Sequence, residues 1–114
     1  MNRPKLIVVT TTFAEQLQAT EMARQVIRER AVACAQVEGP IESHYVWEGQ
    51  LCQDTEWRLT MKTTASTLAQ LTAIVQATHP YKLPQWVVVA VESSTAAYAE
   101  WVRDAVEKEG TSTT

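Results

Sequence analysis

The sequence predicts an α+β domain built on an antiparallel sheet, and three observations carry that expectation. Leu6-Ile7-Val8-Val9 and Trp86-Val87-Val88-Val89-Ala90-Val91 are short apolar runs without alternation. Such runs read as strands, and the first fits a central strand covered on both faces. Between them lies a long stretch of period-two alternation, from Ile41 to Thr63, that reads as a β-hairpin. Three segments with helical spacing separate or follow these strands. The resulting order is strand, helix, strand, strand, helix, strand, helix, which is the split βαβ pattern of a ferredoxin-like sheet with its helices on one face.

Taken in order, the first strand spans about Lys5 to Thr11, and the polar Thr10-Thr11-Thr12 stretch is expected to cap the first helix. Ala19, Met22, Ala23, Val26 and Ile27 recur at i, i+3, i+4, i+7 and i+8. They predict a helix from about Ala14 to Arg30, with Glu15 and Arg28 placed to suit the helix dipole. Val32 to Val37 opens the hairpin, and Cys34 within it reads as a small buried hydrophobe. Leu68, Leu71, Val75 and Thr78 predict a second helix that Pro80 stops. His79 is held extended by the following proline, in a stiff loop bounded by Pro80 and Pro84. After the strand at Trp86–Val91, Ser93-Ser94-Thr95 offers caps. Tyr98, Trp101, Val102, Ala105 and Val106 trace the last helix, closed by Lys108 and Gly110. With no repeat and no linker, 1–110 reads as one domain and 111–114 as a frayed tail.

The hairpin is too long for such a domain. Its second arm places Leu51, Gln53, Thr55, Trp57, Leu59 and Met61 on one face, against Cys52, Asp54, Glu56, Arg58, Thr60 and Lys62 on the other. A two-residue turn at Glu48-Gly49 would set Tyr45 opposite Cys52, pairing the apolar face with the polar one. A three-residue loop, Trp47-Glu48-Gly49, sets Tyr45 opposite Leu51 and Ile41 opposite Thr55, with Gly49 supplying positive φ for a G1 bulge. The three-residue loop is the expected one. Arms of roughly fifteen residues would reach about 45–50 Å if straight, whereas a compact domain of this size has a radius of gyration near ~13 Å. The hairpin must therefore bend or overhang, with Gly39-Pro40 as the place for a bulge. Tyr45, Trp47, Leu51 and Trp57 fall beyond the reach of the core, which marks a partner surface and so an oligomer.

Composition narrows the class. The 114 residues carry a net charge of −3 with no run of Lys or Arg, so neither nucleic acid nor an anionic membrane is a favoured partner. No segment approaches the length of a membrane span. The start runs into a strand without a signal-peptide layout, and two cysteines are too few for a disulfide framework, so a cytoplasmic protein with reduced thiols is expected. Three glycines leave no phosphate-cradling loop, and no Ser/His/Asp or Cys/His arrangement stands out, so an enzyme is not expected.

Several segments together resemble the CutA divalent-cation-tolerance family: Arg30-Ala31-Val32-Ala33-Cys34-Ala35, Tyr45-Val46-Trp47-Glu48-Gly49, Met61-Lys62-Thr63, His79-Pro80-Tyr81 with Pro84, and Tyr98-Ala99-Glu100-Trp101. The resemblance covers nearly the whole chain. It implies a homotrimer whose hairpins reach across subunits, similar in architecture to PII signal proteins, and a role in tolerance of copper or other divalent metals. Two positions depart from the family pattern. Some members have a cysteine just after the first strand, where this chain has Thr10-Thr11-Thr12. Many have Glu after the second loop proline, where this chain has Gln85. Of the implied metal constellation only His79 remains, as a ligand for copper or zinc. Its competing role is to fix the loop by hydrogen bonds. A PII-like reading would place a small anionic metabolite in a subunit cleft at Lys62, Thr63, His79 and Tyr81; a third is a trimeric scaffold for partner proteins. Under the trimer reading Tyr45, Trp47, Leu51 and Trp57 form the interface.

Overall fold

The computed structural model describes residues 3–107. The expected ends of the last helix at Lys108 and Gly110, and the tail, lie outside the described residues. The elements run β1 (Leu6–Phe13), α1 (Gln16–Arg28), β2 (Cys34–Trp47), β3 (Gln50–Thr64), a 3-10 turn (Ala65–Thr67), α2 (Leu68–Thr78), β4 (Val87–Ala90) and α3 (Ala96–Val106). The strands form one antiparallel sheet in the order β2-β3-β1-β4, the ferredoxin-like arrangement.

Along β1 and β3 the odd residues point one way. Ile7, Val9, Phe13, Leu59 and Met61 pack there against Ala19, Met22 and Val26 of α1 and Leu71 and Val75 of α2. Most of these side chains are fully enclosed, and each of those larger than alanine contributes roughly 1.5–3 kcal/mol by leaving water. Leu6 has the opposite parity and joins Ala99 and Val102 of α3 in a second, smaller cluster with Ala33 and Val91. The helices are thus not all on one face: α1 and α2 cover the main core, and α3 packs on the residue that points away from it.

Three local readings are corrected. Thr10, Thr11 and Thr12 belong to β1 and do not cap α1; Thr11 and Thr12 are buried. The cap of α1 is Glu15, whose N–H donates to Gln18 Oε1 at 3.2 Å. Cys34 is only half-buried rather than enclosed. β4 covers four residues of the apolar run and is an exposed edge strand. Elsewhere the local chemistry works as expected. Thr95 caps α3 by accepting from the Tyr98 N–H at 3.2 Å. α1 ends two residues short of the expected Arg30, which adopts φ 58° in a Schellman closure. The Ala31 N–H reaches the Val26 carbonyl and the Arg30 N–H the Ile27 carbonyl, both at 3.0 Å.

The hairpin both bends and overhangs. The molecule extends 53 × 27 × 22 Å with a radius of gyration of 15.5 Å, above the ~13 Å of a compact chain of this length. Val37 faces Leu59 and Glu38 faces Arg58, but Ile41 faces Glu56, so the register slips by one across Gly39-Pro40. Beyond the slip Tyr45 faces Cys52 and Trp47 faces Gln50, and the turn is Glu48-Gly49. This overturns the three-residue loop. Both turn residues have positive φ, 52° and 79°, as a type I′ turn requires. The reason is the bulge: an extra residue in β2 inverts the pairing of faces, so apolar parity near the core does not extend to the tip.

Candidate functional site

The site begins where α2 stops. Pro80 holds His79 extended, at φ −64° and ψ 132°, and the ring turns back onto the end of β1. It stacks on Phe13 with centroids 4.4 Å apart and planes 13° from parallel. Nδ1 accepts the Tyr81 N–H at 3.1 Å, which places the ring proton on Nε2. Nε2 donates to the Thr12 carbonyl at 3.0 Å and lies 3.1 Å from Thr11 Oγ1. Burial lowers the imidazole pKa from its ordinary value, outweighing the Thr12 carbonyl and Glu56, which raise it. The histidine is therefore neutral at pH 7 with both nitrogens engaged. It fixes the loop, the role that competes with metal ligation. Among the described residues no group of three or more His, Cys, Asp or Glu is placed to hold a metal around it.

From this anchor Tyr81 crosses to the projecting half of the hairpin. Its hydroxyl donates to Glu56 Oε2 at 2.7 Å, and Ser43 Oγ donates to Glu56 Oε1 at the same distance. Tyr45 donates to Asp54 Oδ2. Burial, then the Glu56 bond, push the Tyr81 phenol well above its usual range; the Asp54 bond pushes Tyr45 up to about 12. Both phenols remain protonated donors at any ordinary pH. Between the hairpin and the 79–85 loop lies an open groove of about 930 Å³. Tyr45, Trp47, Asp54, Glu56, Tyr81 and Lys82 are among its walls, and Gln85 closes the lining.

Not all expected site residues meet here. Phe13 pairs with Trp57 and Val8 with Lys62, so Lys62 lies five residues along β3 from the His79 anchor, roughly 17 Å at strand spacing. Lys62 Nζ donates to Gln36 Oε1 at 2.9 Å. Thr63 is buried; it donates to the Ala31 carbonyl at 2.7 Å and lies 2.6 Å from Thr67 Oγ1. Within one chain His79 and Tyr81 are together and Lys62 and Thr63 are elsewhere, whereas the expected cleft is one between subunits. Tyr45 and Trp47 are 43% and 41% exposed and Leu51 89%, as the overhang implies. Trp57 is different, being half-buried against the main core with its ring lying on Gly39. Val46, 63% exposed beside Leu51, was not anticipated. Nor was Glu56; its place on the polar face of β3 was visible, but the bulge that brings Ser43 to its side was not.

Known proteins share this architecture. Residues 7–105 match the family described as CutA1 divalent ion tolerance protein. The divalent-cation tolerance protein CutA of Thermotoga maritima is 33% identical over 101 residues, covering 89% of this chain and 99% of that one. The human protein CutA is 35% identical over 89 residues, covering 78% of this chain and 50% of its own length. Among solved structures, CutA1 from Oryza sativa superposes with a TM-score of 0.87 at 31% identity, covering 93% of this chain and 97% of that one. The Ehrlichia chaffeensis CutA1 structure gives a TM-score of 0.87 at 25% identity, over 94% and 100%. The Thermotoga maritima and Ehrlichia chaffeensis relatives are named for tolerance of divalent ions. With the family pattern matched from the first strand to the last helix, this chain belongs to the CutA1 divalent ion tolerance family.

Proposed function

We propose that the protein works in tolerance of divalent cations as a cytoplasmic homotrimer, and that a single chain binds metal only weakly. The observation that carries the weak binding is the state of His79. A metal at Nδ1 must displace the Tyr81 N–H, and one at Nε2 must displace a proton held by the Thr12 carbonyl. Gln85 adds an amide where a carboxylate would help, and both cysteines are free but on other parts of the hairpin. Calorimetry on chelator-treated protein with copper, zinc and nickel tests this. Weak and similar affinities are expected. A submicromolar, copper-selective site lost with His79→Ala would overturn it.

The trimer is supported by the overhang. Leu51, Val46 and Trp47 at the tip and Val87 to Val89 on the free edge of β4 leave apolar surface that a closed cyclic assembly buries on every subunit. Trp57 is not needed for this, since its own chain half-covers it. Light scattering should give three chains at micromolar concentration, and Leu51→Glu should shift that equilibrium towards smaller species. A folded monomer of the unmodified chain would end the reading. A second function, a PII-like module that binds a small metabolite, is favoured by one feature: the groove between hairpin and loop.

A further inference from the structure

We propose that the projecting half of the hairpin is an arm hinged between Gly39-Pro40 and Trp57, and that the Tyr81–Glu56 hydrogen bond is the catch that fixes its direction. The arm carries the apolar tip, so the consequence of the catch for assembly rests on the trimer reading. Three features fall on one line across the sheet. The pairing of β3 with β1 runs from Thr64 to Trp57 and stops there, opposite Phe13. The register of β2 on β3 slips between Glu38 and Ile41, at the same level. The Trp57 ring lies on Gly39, which has no side chain to grip it. The sheet thus narrows to two strands just where their ladder is interrupted, and two strands alone are marginal in water.

Beyond that line the side chains of the arm bond to one another. Gln53 donates to Glu42, Tyr45 to Asp54 and Ser43 to Glu56. These bonds make the arm a unit without tying it to the body. Among the described residues, one side-chain hydrogen bond joins the body to residues 41–56, from the Tyr81 hydroxyl to Glu56 Oε2 at 2.7 Å. Its body end is firm: the Tyr81 N–H is held by His79 Nδ1, and the His79 ring is stacked on Phe13 at the end of β1. Its arm end engages both strands, because Glu56 on β3 also accepts from Ser43 on β2. A bond to a carboxylate is of the stronger kind. With the catch closed, Val46, Trp47 and Leu51 are presented in one direction, and a second copy of the chain meets a surface that is already ordered.

The test is amide residual dipolar couplings in NMR, measured on the full-length protein and on Tyr81→Phe, which keeps the ring and the loop. In the unmodified chain residues 41–56 should share one alignment with 58–64 and α1. In Tyr81→Phe the couplings of 41–56 should shrink by roughly a third or more, as an arm swinging on the microsecond-to-millisecond scale requires, while those of the body stay unchanged. Glu56→Ala should do the same, and the double variant should be no looser than either single one, because both remove one bond. Dilution followed by light scattering should show dissociation at about tenfold higher concentration in Tyr81→Phe. An arm still aligned with the body in Tyr81→Phe, an arm already loose in the unmodified chain, or couplings that change equally in arm and body would overturn the proposal. An intact trimer whose arm stays aligned without the phenol refutes the catch alone. A monomer whose arm comes loose in Tyr81→Phe keeps the catch and refutes the trimeric assembly.

Discussion

The two halves of the hairpin are made from the same strands and live by different rules. Near the core, Ala35, Val37, Leu59 and Met61 pair across β2 and β3 and pack under α1 and α2. Past Gly39-Pro40 the register slips, and Val46 and Leu51 pair with each other in solvent. In the first half, side-chain burial within one chain sets which residues face one another. In the second half the turn and the bulge set the register, and the exposed apolar residues are free to serve something outside the chain. The bulge is the boundary between a part that packs into the core and a part whose apolar side chains lie in solvent.

The sharpest way to break this comparison is to truncate one leucine from each half. Leu59→Ala opens a cavity at a fully buried position and should cost about 2–5 kcal/mol in denaturant melts, independent of protein concentration. Leu51→Ala removes a side chain that is 89% exposed. It should change the stability of the isolated fold by no more than about 0.5 kcal/mol, with any larger effect appearing as a concentration-dependent melting temperature. Equal, concentration-independent losses at both positions would show that the halves do not differ.

The boundary itself comes next. A Cβ at Gly39 would stand 2.5 Å from Trp57 Cδ1 and 2.8 Å from Cγ, so the indole must move. Gly39→Ala should cost about 1–3 kcal/mol through overpacking. Pairing it with Trp57→Leu should recover part of that loss, because the two residues share one space. Additive losses in the double variant would show that the ring does not depend on the glycine.

The sequence exposed most of the fold because most of it obeys local patterning. The 3.6-residue period of Ala19, Met22, Val26 and the unbroken run of β1 each reflect one face meeting one core. Thr95 was legible as a cap because the side chain and the N–H it accepts from are three residues apart. What stayed hidden depends on nonlocal offsets. The turn type followed from a single extra residue at Gly39-Pro40, near the far end of the arm, which parity near the core cannot register. Thr10 to Thr12 read as a cap but are drawn into β1 by its pairing with β3, which runs on to Phe13. The candidate site was half legible: His79 and Tyr81 stand on one rigid loop, whereas Glu56 meets them only because the hairpin projects over that loop.

The turn offers a smaller effect with a definite sign. Glu48 has φ 52°, a conformation that costs a long L side chain more than it costs asparagine. Glu48→Asn should therefore stabilise the hairpin by about 0.5–1 kcal/mol, since Asn-Gly is the favoured pair in this turn. Loss of stability would argue for the longer loop, in which residue 48 has negative φ and asparagine brings no gain.

The smallest effect belongs to the anchor beneath the projecting half. The folded pKa of His79 lies below its ordinary value of 6.5, with burial as the leading cause. The unfolded chain therefore takes up a proton at a pH where the folded chain does not. The stability linked to this group is fully present above about pH 6.5 and is lost as pH falls from there to the folded pKa, below which it changes no further. Denaturant melts between pH 7.5 and 5.5 should show this slope, and His79→Gln should flatten it. Protonation also removes the acceptor that holds the Tyr81 N–H, so Tyr81 should loosen together with its bond to Glu56. Imidazole carbon shifts in NMR read the titration directly. A midpoint at or above 6.5, or a ring protonated at Nδ1 at neutral pH, would show that His79 does not fix the loop in this way.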